Sequence, residues 1–200
     1  MPIHLRVQAF SPLVPQRDTL RGFVESNHYV SMEAEHFTAA TSAGGIHWDR
    51  IPGFGETLSG MTIFPVTALS TEPPQPAPLL EYKMYLFEGG KFNVEAILAP
   101  TLNFVPGRGL RFAISFDDQP SQIVDALAQN SEKDWAKAVS DGVRKVTTTL
   151  NVDGPGYHTL KFRMVDPSIV LEKLVVSQGP IPASYLGPSE SYRNPAQQER

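Results

Sequence analysis

Apolar and polar residues alternate along much of the chain, which is the pattern of strands that bury one face in a core. Between Tyr29 and Phe37 this alternation places Glu33 and Glu35 on one side of a strand. Further strand-like segments follow at 61–69, 79–98, 110–116, 145–152, 157–165 and 169–177. About eight or nine strands separated by short turn segments predict a sandwich of the jelly-roll type.

One segment breaks this pattern with the spacing of a helix. Trp135, Val139 and Val143 recur at every fourth position, and Ser131 precedes them as a candidate N-cap. The predicted fold class is therefore an all-β jelly-roll β-sandwich with one short helix.

Glycine and proline mark the connections between the predicted strands. The glycine-rich stretch from Ser42 to Gly60 predicts a long structured loop around Trp48. Gly89-Gly90 predicts a hairpin turn between two strands. The proline-rich run 71–78 cannot donate regularly to a sheet ladder, so we expect an extended crossover there.

The chain of 200 residues is long enough for one β domain with flanking arms. We expect an N-terminal arm over 1–21, a β-sandwich module over 22–179 and a proline-rich C-terminal tail over 180–200. No cysteine is present, which excludes disulfide bonds and thiolate chemistry.

The net charge argues against nucleic acid as a partner, and the short apolar runs argue against a membrane span. The formal net charge is -4 and the pI is near 5.7, so the chain lacks the basic surface that nucleic acid requires. No apolar run approaches the roughly 20 residues that span a bilayer. The N-terminus also lacks the pattern of a signal peptide, so a signal for export would have to lie elsewhere.

The motifs of common enzymes do not occur in this sequence. The five histidines show no HExxH spacing, and no serine lies in a GxSxG elbow. Glu33 and Glu35 lie side by side on one predicted strand, whereas a glycosidase pair must flank the scissile bond. We therefore predict no catalytic residues, and an independent hydrolase is the weakest of the alternatives.

A long ordered series of segments resembles the C-terminal module of glycoside hydrolase family 115, the xylan α-1,2-glucuronidases. The segments are GFVESNHYVSMEAEHF, IPGFGETLSGMTIFPVTA, LEYKMYLFEGGKFNVEAILAPTLNF, GLRFAISFDDQP, WAKAVSDGVRKV, HTLKFRMVDPSIVLEKLVV and SYLGPSES. In that family the chemistry belongs to a separate barrel on the N-terminal side, so the resemblance implies a non-catalytic module. The chain would be a fragment of a secreted or periplasmic enzyme, or a free-standing relative.

The resemblance also implies a structural Ca²⁺. Related carbohydrate-binding modules hold calcium with a Glu-x-Glu strand and an acidic residue on the last strand, which correspond here to Glu33, Glu35 and Glu172. Carboxylate oxygens suit this ion. The alternative is that the glutamates face solvent or pair with arginine or lysine.

A sugar site is the second candidate. Trp48 offers a flat ring for a pyranose and Arg50 a charged group, and we expect Asn103, Phe104 and Asp166 to converge on them from neighbouring loops. The alternative is that Trp48 packs over the edge of the sandwich without any ligand.

Two functions remain open at this point. The module packs against other domains of the parent glycoside hydrolase or mediates a homodimer, through exposed Phe23, Trp48, Tyr185 and Tyr192. Alternatively it binds xylan or glucuronoxylan, with Arg50 or Arg108 pairing with a uronate carboxylate.

Overall fold

The computed structural model describes residues 15–103, 107–181 and 184–194. Twelve strands and one α-helix are found in these residues, together with two short 3₁₀ turns at Arg17–Thr19 and Ala34–His36. The strands are β1 (Phe23–Val24), β2 (Tyr29–Glu33), β3 (Ala39–Thr41), β4 (His47–Pro52), β5 (Ser59–Phe64), β6 (Leu79–Leu86), β7 (Gly90–Leu98), β8 (Arg111–Phe116), β9 (Gln122–Asp125), β10 (Arg144–Val152), β11 (Gly156–Met164) and β12 (Leu171–Ser177).

The strands form two six-stranded sheets that pack face to face. The first sheet has the order β1-β6-β11-β8-β9, with β3 also paired to β6, and the second has the order β10-β7-β12-β5-β4, with β2 also paired to β12. Only the β1–β6 pair is parallel among these pairings. The predicted jelly-roll β-sandwich is confirmed.

Consecutive strands often belong to different sheets, which corrects the hairpin predicted at Gly89-Gly90. β6 lies in the first sheet and β7 in the second, so these two glycines lead the chain across the sandwich. A Cβ on Gly89 would lie 2.6 Å from the Cα of Gly154, which is in the neighbouring crossover from β10 to β11. The crossover predicted over 71–78 is confirmed, because it joins β5 of the second sheet to β6 of the first.

The predicted helix is α1 (Glu132–Asp141), and it begins where the sequence indicates. The Ser131 hydroxyl accepts from the backbone N–H of Asp134, whose carboxylate accepts in return from the backbone N–H of Ser131. This capping box satisfies two free donors of the first turn. Gly142 ends the helix in the left-handed conformation that glycine favours.

Aromatic and aliphatic side chains from both sheets fill the core. Phe112 stacks on Phe162 with ring centroids 4.7 Å apart, and Tyr82 is fully buried and donates its hydroxyl to the carbonyl of Ala34. Phe23, which we expected at the surface as an interface residue, is also fully buried. That expectation is wrong because β1 is paired to β6 and Arg193 covers the ring.

The segment 184–194, named here the C-terminal strap, lies against β2. The backbone N–H of Ser31 donates to the Ser191 hydroxyl, and the N–H of Ser191 donates to the Ser31 carbonyl, both at 2.9 Å. The Ser31 hydroxyl donates to the carbonyl of Pro188. As a result the side of β2 that faces away from the core is buried as well, although the alternation had predicted a half-exposed strand.

Candidate functional site

Trp48 lies on a strand and faces the core, which corrects the predicted loop. β4 and β5 pair in continuous antiparallel register from His47–Phe64 to Pro52–Ser59. The Trp48 side chain points inward, its residue is 8% exposed, and its ring centroid lies 5.7 Å from that of Phe162. The flat face of the indole is therefore used in packing.

A small cavity nevertheless opens beside this tryptophan. Its volume is about 390 Å³, and the lining residues are Glu35, His36, Phe37, Trp48, Asp49, Arg50 and Met61. Apolar side chains and charged side chains both contribute to the lining, as in sites that hold a small polar ligand. Trp48, Asp49 and Arg50 thus line one cavity together with Glu35.

Charged pairs surround the cavity. Arg50 Nη1 lies 2.8 Å from Glu35 Oε2, and His36 Nδ1 lies 2.7 Å from Glu190 Oε1 of the C-terminal strap. The hydrogen bond with Glu190 is the largest influence on His36 and raises the pKa of the imidazole. The indole Nε1 of Trp48 is buried and finds no hydrogen-bond partner within the described parts of the chain.

Asp166 is part of a separate cluster with two arginines. Its Oδ2 accepts from Arg111 Nε at 3.0 Å and from the Arg111 backbone N–H at 2.9 Å, and its Oδ1 lies 3.2 Å from Arg108 Nη2. Asp166 does not line the cavity beside Trp48. Arg108, the second arginine considered for a uronate, is therefore already paired with a carboxylate.

Asn103 is exposed and is not among the residues that line the cavity beside Trp48. Phe104, expected beside it, lies outside the described residues. The predicted convergence of Asn103 and Asp166 on Trp48 is not seen, because Trp48 projects from a strand into the core and not from a loop at the end of the sandwich.

The Glu-x-Glu motif is divided between two elements. β2 ends at Glu33, and Glu35 follows in the 3₁₀ turn, so the two carboxylates do not share one face of a strand. Glu35 points to Arg50, whereas Glu33 lies opposite Lys173 in the register of β2 and β12. Among residues 15–103, 107–181 and 184–194, no group of three or more His, Asp and Glu side chains is placed to hold a metal ion.

A bulge in β12 places a lysine beside Glu33. Leu171 and Leu174 both point into the core, so the two residues between them, Glu172 and Lys173, both lie on the outer side. Lys173 Nζ lies 3.0 Å from Glu33 Oε1, and both side chains are nearly inaccessible to solvent. The residues present therefore provide an ammonium group where the resemblance implied a calcium ion.

Glu172 is buried close to this pair. Its Oε2 accepts from the backbone N–H of Glu56 at 3.1 Å. Burial is the largest influence on Glu172 and raises the pKa of its carboxyl, and the nearby charges of Glu56 and Glu33 act in the same direction. The sequence could identify Glu33 and Glu172 as neighbours, but not Glu56, whose position depends on the turn between β4 and β5.

The two packed sheets define the fold class of this protein, a jelly-roll β-sandwich. A family model described as "Glycosyl hydrolase family 115 C-terminal domain" matches residues 22–190. The chain belongs to this family, as the ordered sequence segments predicted. A search of curated proteins found no match.

Three of the solved structures that this chain matches are as follows. A family GH115 4-O-methyl-α-glucuronidase, BtGH115A, described as specific for decorated arabinogalactans, is 16% identical with a TM-score of 0.53, and the match covers 72% of this chain and 18% of that enzyme. A family 35 carbohydrate-binding module from Clostridium thermocellum is 13% identical with a TM-score of 0.49, over 74% of this chain and 98% of that one. The C-terminal CBM6 of LamC from Zobellia galactanivorans is 11% identical with a TM-score of 0.47, over 75% and 99%.

This chain thus spans a small part of the length of the GH115 enzyme that it resembles. Within the described residues, no helix has the length and apolar character needed to cross a membrane.

Proposed function

We propose that this chain is a non-catalytic accessory domain of a larger, exported family 115 glycoside hydrolase, and that it docks against other domains of that enzyme. The observation that carries the proposal is an apolar corner formed by Phe64, Val66 and Leu69. These side chains are 37%, 53% and 83% exposed, although all three are large and hydrophobic. Clustered apolar side chains on a surface mark sites of protein contact.

A hydrogen-bonded turn at the end of β5 forms this corner. β5 ends at Phe64, and a turn follows in which the N–H of Ala68 donates to the Pro65 carbonyl at 3.0 Å. This turn presents Val66 and Leu69 at the end of the second sheet. Exposed apolar side chains at this position support docking to another protein surface, and the other domains of the parent enzyme are the expected partner.

The charged groups support a non-catalytic role. A glycosidase needs an acid and a nucleophile or base that face each other across the bond they cleave. Glu33 and Glu35 are instead held by Lys173 and Arg50. The reaction of the parent enzyme would then belong to its other domains, and export to the periplasm or the medium would follow the parent.

Hydrogen exchange tests the docking proposal. The backbone amides of Phe64 and of 66–69 should exchange at least about tenfold more slowly in the complete enzyme than in this domain alone, because docking excludes water from the corner. The turn at Asp117-Asp118 serves as an internal control. Equal exchange at 64–69 in both forms, with a monomeric domain in sedimentation equilibrium, would refute docking through this surface, whereas self-association lost on Leu69→Ser would assign the corner to a homodimer.

A second function is favoured by the cavity beside Trp48. Arg50 and Asp49 line it and are exposed. Arg50 contacts Glu35 through Nη1 and has further N–H donors, so these donors and Asp49 could pair with a carboxylate and a hydroxyl of a uronic acid branch. We infer that glucuronoxylan is a ligand class for this cavity, and the family 115 relative with specificity for decorated arabinogalactans adds a second probe.

Calorimetric titration of the domain with both polysaccharides tests this function. Trp48→Ala would damage the core, so Arg50→Gln is the informative variant and Lys91→Gln, an exposed lysine on β7, is the matched control. Saturable heat that Arg50→Gln reduces at least about tenfold and Lys91→Gln leaves unchanged would support a binding module. No heat with millimolar uronate would exclude it and leave the docking role.

A further inference from the structure

The ammonium group of Lys173 lies among oxygen atoms of the chain. The lysine ammonium has three N–H donors, and three oxygens are near it: Glu33 Oε1 at 3.0 Å, the Leu186 carbonyl at 3.1 Å and the Pro188 carbonyl at 3.3 Å. A buried ammonium is costly unless it is paired and hydrogen-bonded. Each donor of Lys173 has a partner, so the site satisfies this condition.

Each carboxylate oxygen of Glu33 has a partner in the chain. Oε1 contacts Lys173, and Oε2 accepts from the Thr57 hydroxyl at 2.6 Å. The backbone N–H of Glu33 donates to Glu190 of the strap. A calcium ion would need several oxygen ligands at about 2.3–2.6 Å. These distances and partners suit an ammonium group, and each oxygen of Glu33 already meets a donor of the chain.

The second carboxylate of the motif has a cationic partner as well. Arg50 Nη1 contacts Glu35 Oε2 at 2.8 Å, and the Glu35 side chain is mostly buried. The two glutamates therefore meet two cationic side chains that come from different strands, β12 and β4. Two of the three carboxylates that the resemblance assigns to calcium, Glu33 and Glu35, are therefore already paired with cations of the chain itself.

We propose that Lys173 is the resident cation of this domain and replaces the structural calcium that the resemblance implies. Its ammonium neutralises Glu33 and ties the strap carbonyls of Leu186 and Pro188 to the outer side of β12. The domain therefore folds and keeps its strap in place without a divalent metal. This proposal is independent of the docking and sugar-binding roles.

Thermal unfolding with and without calcium is the first test. A site with a dissociation constant of about 10⁻⁴ M would raise the melting temperature by roughly 5 °C in about 5 mM Ca²⁺. We expect chelator and calcium to change the melting temperature of the unmodified domain by less than about 1 °C. A calcium-dependent rise that Glu33→Gln abolishes would overturn the proposal.

Binding of Tb³⁺ gives a direct reading that does not depend on stability. We expect no saturable luminescence from the unmodified domain at micromolar Tb³⁺. Saturable luminescence that Glu33→Gln removes would place a metal at Glu33 and contradict the role of Lys173.

A lysine variant tests the role of the ammonium in holding the strap. Lys173→Met keeps the aliphatic stem and removes the charge, so the amide of Ser191, which bonds to the Ser31 carbonyl, should exchange at least about tenfold faster. Lys161→Met, at a surface pair with Asp118, is the control. If Lys173→Met alone fails to fold, the charge-neutral pair Glu33→Gln with Lys173→Met provides the same comparison. Unchanged exchange at Ser191 in the variant that folds would refute the link between Lys173 and the strap.

Discussion

Replacing Asp166 with asparagine separates a structural role from a sugar-binding role for this residue. Asp166 is 2% exposed, and its carboxylate pairs with Arg111, the first residue of β8, and with Arg108 in the preceding loop. The substitution keeps the size of the side chain and removes its charge. Arg111 then loses its principal anionic partner, because Glu72, which also contacts its guanidinium, is largely exposed.

The expected loss of stability follows from the burial of this cluster. Removing one partner of a buried ion pair costs about 3–5 kcal/mol, and the partial exposure of Arg108 favours the lower end, about 3 kcal/mol. For a chain of this size that loss lowers the melting temperature by roughly 6–12 °C. Urea unfolding at neutral pH measures the change directly, with Asp118→Asn as the control, because the Asp118 side chain is fully exposed.

The same cluster predicts a dependence on pH. Burial alone would raise the pKa of Asp166, but hydrogen bonds from Arg111 and Ser70 more than offset it, so the folded pKa lies below its ordinary value. The contribution of Asp166 is therefore complete above its unfolded pKa of about 3.9 and is lost as the pH falls through the lower folded pKa. The unfolding free energies of the unmodified domain and of the Asp166→Asn variant should therefore approach each other in that acidic range.

One result would refute this reasoning. If Asp166→Asn unfolds within about 0.5 kcal/mol of the unmodified domain at neutral pH, the arginine cluster does not stabilise the fold. A variant that keeps its stability but loses heat with glucuronoxylan would instead restore Asp166 as a sugar contact, as the sequence suggested.

Three other substitutions test individual features of the fold by urea unfolding. Ser131→Ala removes the cap that receives the Asp134 N–H and should cost about 1 kcal/mol, and a cost near zero would show that the capping box does not hold the helix. Gly22→Ala should cost more, because a Cβ would lie 2.3 Å from the Lys83 carbonyl oxygen and the φ angle is +73°, and an unchanged midpoint would contradict the close approach. Trp48→Ala should cost about 3–5 kcal/mol as a core residue, whereas a loss below about 1 kcal/mol would indicate a surface platform.

The sequence predicted the fold well because its signals are local. The cap at Ser131, the strand alternation and the proline-rich crossover each depend on neighbouring residues, and the structure has all three. The hairpin predicted at Gly89-Gly90 was wrong because a Gly-Gly turn can join two paired strands of one sheet or lead the chain from one sheet to the other. Only the long-range pairing of β6 with β11 decides between them.

The candidate sites were harder to predict because they depend on which face a residue presents. Trp48 follows a glycine-rich stretch, and sequence alone does not distinguish a loop from a tight strand pair there. The side of the sheet on which Lys173 lies was also not predictable from the sequence. Regular alternation from Leu171 would place Lys173 in the core, and only the bulge moves both Glu172 and Lys173 to the outer side.

The C-terminal strap extends the folded unit beyond the end expected at residue 179. Val175 is fully buried on the outer side of β12, and Lys173 and Glu33 are buried there too, so this side of the sheet is a second core that needs a cover. Ile181 packs against Val175, and the strap carbonyls and the Ser191 backbone bond to the sheet. Without these residues a buried ion pair and an apolar side chain would face water. The match of the family over residues 22–190 includes most of this strap, which is consistent with its being part of the domain and not a linker.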